Sequence, residues 1–535
     1  MSATATPPAR PAAAAASGLA VGTLVAGCLA VCLAQIGLAI PATLNGLFQS
    51  DLHPVGSQLT WISDAFLLPV AVLELTFGVL GDLFGRKQLL IGGALLMAVG
   101  ETVSTASSGV HQLWVGQALA GLGAAALFPT SLALIAAGTS THTQRARVIA
   151  LWAACLSTGG FLAPLLGGIT ATYGSWRWSF VVVLAIALVS AAVSATLARN
   201  SRSPEGRSLD PVGQVTIGLG LFSLLYAIIQ GPADGWSSAP VVVAFLLAAA
   251  FLVAFVLAEL RARSPLLRLD LFRNRSFAVA SVVAVVGMFS FLGTAYAVSI
   301  RLGPVQEQKP MHTAMAFLLL NGLALVMLPV TERLLRSAAP GLLLTGGLLL
   351  MGTGDFWAAT LPITDEAFTS LVLPLGLVGV GFAVTVSAIT ATAVNTVPVR
   401  LAGMASATTN LLRDFGFTLG PAVIGAVALS RAASNFGSAL HASALPAATK
   451  GAATAVLHEG GPLAVNGASL AAPVLKPAHG LAMDALGHGY SVGFVVCGAA
   501  AVVSALLALT ALRGRPATAD EATEEEAAKG EATAA

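Results

Sequence analysis

Gly78-Val79-Leu80-Gly81-Asp82-Leu83-Phe84-Gly85-Arg86-Lys87 joins two long apolar segments, residues 59–80 and 88–105. Each segment is long enough to cross a lipid bilayer, which takes about 20 apolar residues for a hydrocarbon core of ~30 Å. A tight, charged turn between two such helices places this chain in a membrane.

Composition agrees. The 535 residues are 56% hydrophobic and only 9% charged, with a mean hydropathy of +0.86, whereas an ordinary soluble domain carries about 25% charged residues. Helices and closed barrels are the two solutions that satisfy the backbone in lipid, and the alternating polar residues of a barrel strand are absent. The expected fold is therefore all-α, a polytopic membrane protein. Fourteen apolar segments are legible, near 18–44, 59–80, 88–105, 112–136, 146–171, 177–198, 212–230, 239–260, 276–301, 312–330, 339–358, 368–392, 402–430 and 490–512. They group as an N-terminal tail (1–17), a six-helix bundle (18–198), two extra helices with their flanking loops (199–275), a second six-helix bundle (276–512) interrupted by a long loop (431–489), and an acidic tail (513–535).

Charge sets the orientation. With the N-terminus in the cytoplasm, the connections on that side hold nineteen of the 26 basic residues, among them Arg86, Lys87, Arg145, Arg147, Arg199, Arg261, Arg273, Arg333 and Arg400. The excess of Lys and Arg on one side predicts cytoplasmic termini, as an even number of crossings requires. Val25-Ala26-Gly27-Cys28 resembles a lipoprotein cleavage site, but cleavage there would delete most of the first helix, so the segment is read as a span. The tail from Thr518, with Asp520, Glu521, Glu524, Glu525 and Glu526 among alanines, has nothing to bury and is expected to stay disordered.

Cys28, Cys32, Cys155 and Cys497 all fall in predicted helices, where small apolar packing is their expected role. The loop 431–489, rich in Ala, Gly, Pro and Ser, holds His441, His458, His479 and His488 at irregular spacing. No metal site is expected there. No G-x-x-x-x-G-K-[ST] loop occurs and no cytosolic loop has room for a nucleotide domain, so the chain is not read as an enzyme or an ATP-driven pump. No nucleic-acid partner is expected.

The informative residues are those a membrane rejects. A carboxylate at mid-membrane costs about 2.5 to 3.5 kcal/mol on insertion scales, so each one calls for an explanation. Glu259, Glu332, Asp365, Glu366 and Asp355 are placed near helix ends, where they can snorkel. Glu74 is different, about fifteen residues into its segment with Gly78 one turn on. Burial disfavours the charged form of a carboxyl, which suits a proton carrier. Asp64 and Glu101, toward the outer third of adjacent helices, are read as an external access route for protons or a wetted vestibule. Arg413 and Asp414 are neighbours about 100° apart on a helix, so each is expected to pair with a different element.

Glycine and proline form a second set. Gly159-Gly160-Phe161-Leu162-Ala163-Pro164-Leu165-Leu166-Gly167-Gly168 lies in the fifth segment, and Gly416-Phe417-Thr418-Leu419-Gly420-Pro421-Ala422-Val423-Ile424-Gly425 in the thirteenth. Such runs let a neighbouring helix approach closely. Their recurrence in the two halves points to an internal repeat, the architecture by which transporters rock two bundles about a midplane site.

These residues together resemble a 14-helix drug:proton antiporter of the major facilitator superfamily, from about Ala20 to Leu512. The turn from Gly78 to Lys87 is similar to the superfamily's cytoplasmic signature, with Gly78, Asp82, Gly85, Arg86 and Lys87 matching and Leu83 at a usually basic position. The resemblance implies a conformational latch at Asp82, Arg86 and Lys87. Gly159, Pro164, Gly167 and Gly168, with Trp176-Arg177-Trp178-Ser179-Phe180, resemble the motif of exporters. Leu271-Phe272-Arg273-Asn274-Arg275 and Gly403-Met404-Ala405-Ser406 also match that branch.

Two positions depart from it. Aligned on Pro41, the first-helix acidic residue common in this branch falls at Cys32, with Gln35 close by; aligned on Gly121, the fourth-helix arginine falls at Gln117. Proton coupling is therefore assigned to Glu74, with Asp64 or Glu101 assisting. The expected driving force is a proton gradient, with no cofactor. Apolar and aromatic side chains such as Phe66, Phe128, Phe161, Phe291, Tyr296 and Phe382, with Gln35 and Gln117, are candidates to line a cavity for hydrophobic or amphiphilic compounds. A cationic substrate is favoured if Glu74 or Asp64 faces that cavity. The expected setting is the cytoplasmic membrane and the expected unit a monomer. The rival readings are an uncoupled or symporting carrier of a polar metabolite, and a membrane sensor without transport.

Overall fold

Lipid offers no partner to a backbone N–H or C=O, so each crossing has to satisfy its own backbone as a helix. In a computed structural model of the chain, which describes residues 20–139, 141–203, 209–262, 265–394, 396–397 and 402–512, fourteen helices are long and apolar enough to span a bilayer. The first six are α1 (Val21–Leu52), α2 (Gln58–Phe84), α3 (Arg86–Thr105), α4 (Val110–Ala137), α5 (His142–Tyr173) and α6 (Trp176–Leu197). Next come α7 (Pro211–Asp234) and α8 (Ala239–Glu259). The second bundle holds α9 (Arg275–Ile300), α10 (Pro310–Ser337), α11 (Pro340–Thr360), α12 (Phe368–Val394), α13 (Ala402–Ala442) and α15 (His479–Ala511), with a further helix, α14 (Ala447–Ala471), between the last two.

Packing repeats between the halves. Glycines at Gly93 and Gly123 bring α3 against α4, and Gly347 and Gly381 bring α11 against α12. Gly159 of α5 lies on the backbone of Cys32 in α1, and Gly416 of α13 lies on that of Val285 in α9. The halves meet along two seams, α2 with α13 and α5 with α10. α7 runs beside the first seam, its Gln214 donating to the Val72 carbonyl at 2.9 Å and its Leu225 and Ile229 packing with Ala422. α8 is the most apolar span and the least buried, as a lipid-facing helix should be.

One expectation is corrected. Residues 431–489 are not an irregular loop: α13 continues to Ala442, α14 occupies 447–471 and α15 begins at His479. Alanine has the strongest helix propensity, and the segment supplies a small core of its own in Phe436, Leu440, Ala453, Val465 and Leu475. α14 breaks at Gly461, whose φ of 73° only glycine adopts readily, just before Pro462. The tails 1–17 and 513–535 and the turn at Arg400 lie outside the described residues.

Candidate functional site

Glu74 faces the seam from α2, and its carboxyl is hydrogen-bonded to that of Asp414 on α13. Arg413 adds the third charge, its Nε 3.6 Å from Asp414 Oδ1. Adjacent residues do leave a helix about 100° apart, but Arg413 has a side chain long enough to swing back toward its neighbour, so both residues serve one site. The expectation that the two could not face the same partner is corrected, whereas Asp414 does pair across to another helix, with Glu74 of α2. The trio sits on the wall of a cavity of about 430 Å³. Phe128, Trp152, Phe291, Phe382 and Phe417 supply aromatic surface, and Gln35, Asn321 and Asn410 supply amides. Phe291 and Phe382 stack face to face, centroids 3.5 Å apart and 9° from parallel.

This cavity continues into a larger one of about 910 Å³ at the signature end, the two sharing Leu75, Pro129, Ala133, Ala136 and Arg145 on their walls. The far end is shut. There Asn45 Nδ2 donates to Ser299 Oγ at 2.9 Å, the Ser299 hydroxyl donates to the Ala42 carbonyl, and Thr60 and Tyr296 share a hydrogen bond of 2.6 Å. Gly46 of α1 lies so close to Gly303 that a Cβ on it would come within 2.7 Å of the Gly303 Cα. The molecule is thus open at the signature end and closed at the other, one of the two states alternating access requires.

The signature turn itself is built on one residue. α2 ends at Phe84, Gly85 reverses the chain with φ 116°, and α3 begins at Arg86. Arg86 donates through Nε and Nη2 to Asp82 Oδ1 at 3.0 and 2.7 Å and through Nη1 to Ser201 at 3.2 Å. The Lys87 backbone N–H donates to Asn200 Oδ1 at 3.2 Å. Asp82 and Arg86 line the larger cavity.

Other predicted residues are dispersed. Asp64 is fully buried toward the shut end near Tyr296, and neither of its carboxyl oxygens has a hydrogen-bond partner. Glu101 is buried inside the first bundle, facing Gly37 of α1. Both are buried in this state, so neither opens onto a vestibule here. Gln117 is buried and donates to Ser104 Oγ at 3.0 Å. Phe66 packs against Gly121, Phe161 against Gly322 of α10, and Tyr296 bonds Thr60, so of the eight cavity candidates Gln35, Phe128, Phe291 and Phe382 are on the wall, and Phe66, Gln117, Phe161 and Tyr296 pack elsewhere. In the exporter motif Gly159 and Gly167 face α1 and Gly168 faces Ala314 of α10, which places α5 between the halves, with Pro164 inside the helix. Asp355, expected to snorkel, is fully buried instead and accepts from Thr294 at 2.6 Å and Ser290 at 3.4 Å. Gly352 and Gly498 let α11 and α15 approach closely, and Asp355 lies on that contact face, its Cβ against Gly498.

Sequence reading missed Asn321, Asn410, Trp152 and Phe417. The two asparagines are legible by the same test that singled out Glu74, as polar groups far from helix ends. The aromatics carry no such signal.

The profile of the Major Facilitator Superfamily matches residues 27–421. The chain belongs to this superfamily. Its members transport solutes, and 14 crossings make this one a multi-pass membrane protein. Similar superfamily proteins include the tetracenomycin C resistance and export protein of Streptomyces glaucescens, 30% identical with 89% of each chain covered. A multidrug resistance protein, Stp, of Mycobacterium tuberculosis is 30% identical over 69% of this chain and 68% of its own. Among solved superfamily folds, a peptide transporter POT in complex with sulfate superposes with a TM-score of 0.60 at 17% identity, over 92% of this chain and 96% of that one.

Proposed function

We propose that the protein exports hydrophobic or amphiphilic, drug-sized compounds across the cytoplasmic membrane in exchange for protons, with the proton held by the Glu74–Asp414 pair. The observation that carries this reading is a carboxyl pair shared between the two halves on the wall of a mostly apolar cavity. The relatives named for antibiotic and multidrug resistance support the direction and the substrate class. The signature end is the cytoplasmic end, because it carries the excess of Lys and Arg.

The chemistry follows from the pair. A carboxyl–carboxyl hydrogen bond needs one proton between two groups that otherwise repel, by about 4 kcal/mol at 4 Å and an effective dielectric of 20. Protonated, the pair ties α2 to α13. Deprotonated, it leaves Arg413 as the neighbouring counter-charge and loosens the seam. A substrate lodged in the cavity beside this seam competes with that bridge, so substrate and proton exclude one another, which is the requirement for exchange. One proton crossing a 100 mV potential supplies about 2.3 kcal/mol, enough for a substrate ratio on the order of fifty. One carrier site is sufficient.

The test is direction. Intact cells expressing the protein should accumulate less of an amphiphilic antibiotic than cells without it, and everted vesicles should accumulate more when energised. Uptake into intact cells would instead favour the metabolite carrier, the reading that Cys32 and Gln117 at the usual coupling positions support.

A further inference from the structure

Gln35 of α1 and Asn321 of α10 come from opposite halves and meet over one glycine of α5. Gly159 seats the stem of Gln35, since a Cβ there would come within 2.8 Å of the Gln35 Cβ. Gly160, next in the chain, leaves open the space in front of both amides. A Cβ on it would stand 3.8 Å from Gln35 Nε2 and 3.8 Å from Asn321 Cβ. Across the seam the ring of Phe161 lies against Gly322, which fixes Asn321 at the same level. Asn321 also sits in a π turn, Leu318–Gly322, inside α10. Such widened turns interrupt the regular helical register and recur at functional sites.

Gln35, Gly160 and Asn321 are all on the cavity wall, and Gly160 and Asn321 are the wall residues of their helices farthest from the signature end. Neither amide is hydrogen-bonded to another described residue. A carboxamide carries two donors and an acceptor and does not titrate, so this pair presents the same groups whichever way the Glu74–Asp414 proton stands.

We infer that Gln35 and Asn321 form a substrate-recognition subsite at the deep end of the cavity. It selects compounds bearing a neutral group that both donates and accepts hydrogen bonds, the chemistry of an amide or a hydroxy ketone. The inference rests on reading this cavity as the transport site. Gly160 supplies the room into which that group inserts, and the apolar body of the compound rests on the aromatic wall. An analogue without the group leaves both amides unpaired by ligand. The open cavity lets water replace it, so the discrimination is moderate.

The experiment is equilibrium binding to the full chain in lipid nanodiscs, corrected for partition into protein-free discs. Two neutral probes share one ring system, anthracene-2-carboxamide and 2-methylanthracene. The carboxamide should bind the parent at least tenfold more tightly. Gln35→Met and Asn321→Leu should each bring that ratio below about threefold. Gly160→Ala meets nothing closer than 3.8 Å, so its melting temperature should match the parent while its ratio falls severalfold. A parent that binds neither probe or binds both alike, variants that weaken both probes equally, or a ratio unmoved in Gly160→Ala would overturn the inference. Transport separates it from the reading beneath it. Energised export of amphiphiles without the carboxamide preference would remove this inference alone, whereas the preference without export would remove only the reading of the protein as an exporter.

Discussion

Glu74 of α2 and Asp414 of α13 are joined by a hydrogen bond across the seam between the two halves, beside the Arg413 guanidinium. If the pair shares the transported proton, as proposed, removing either acidic group should remove the same function. Glu74→Gln and Asp414→Asn should each lower gradient-driven transport at least tenfold while leaving downhill exchange intact. The double variant should be no worse than the single ones, as expected of residues that act as a unit. A double-variant cycle on uphill transport in vesicles measures this, and additive losses would show two independent sites.

The shut far end rests on the approach of Gly46 to Gly303. In Gly46→Ala the new Cβ meets backbone, which cannot swing aside, and overpacking of this kind costs about 1–3 kcal/mol. That cost falls on this state alone. The variant should populate the opposite state more, so a cysteine introduced at Ser157 in the cavity, with the four native cysteines replaced, should react several-fold more slowly with a maleimide from the signature side. Unchanged labelling would mean that the contact does not hold the end shut.

At the signature turn, Gly85→Ala would place a Cβ 2.2 Å from Gln88 Oε1 and 2.8 Å from the Asn200 side chain, on backbone with φ 116°. Asp82→Asn keeps the turn but weakens both bonds from Arg86. The first change should lower both thermal stability and transport. The second should lower transport several-fold with little loss of stability, a separation read by melting the purified variants beside a flux assay.

Asp355 serves its own bundle. Truncation in Asp355→Ala leaves the Ser290 hydroxyl without its acceptor, while the Thr294 hydroxyl keeps the Ser290 carbonyl at 2.9 Å, at a cost of roughly 1–3 kcal/mol. The melting temperature should fall by a few degrees while the number of protons exchanged per substrate stays the same. A changed stoichiometry would make Asp355 a second proton site.

Much of the fold was legible because lipid imposes a simple grammar of apolar length, charged turns and basic loops. The spans follow from it, as does the turn at Gly85. The segment 431–489 was misread because hydropathy does not register a helix such as α14, which is rich in alanine and carries polar residues. Glu74 was legible because a carboxylate deep in a span has no cheap local explanation. Its partner was not, since nothing in sequence says that positions 340 residues apart share a seam, or that Arg413 folds back on Asp414. Phe66, Phe161 and Tyr296 illustrate the same limit: an aromatic residue in a span packs in the core or lines a cavity according to which face it takes, and 14 interlocked helices set that face.

The most direct test is proton release from energised everted vesicles on adding a transported neutral aromatic compound, with Glu74→Gln beside the parent. Coupling through the Glu74–Asp414 pair requires release by the parent and none by the variant. Equal release by both would place the proton elsewhere, and movement of the compound with no release from the parent would contradict antiport itself.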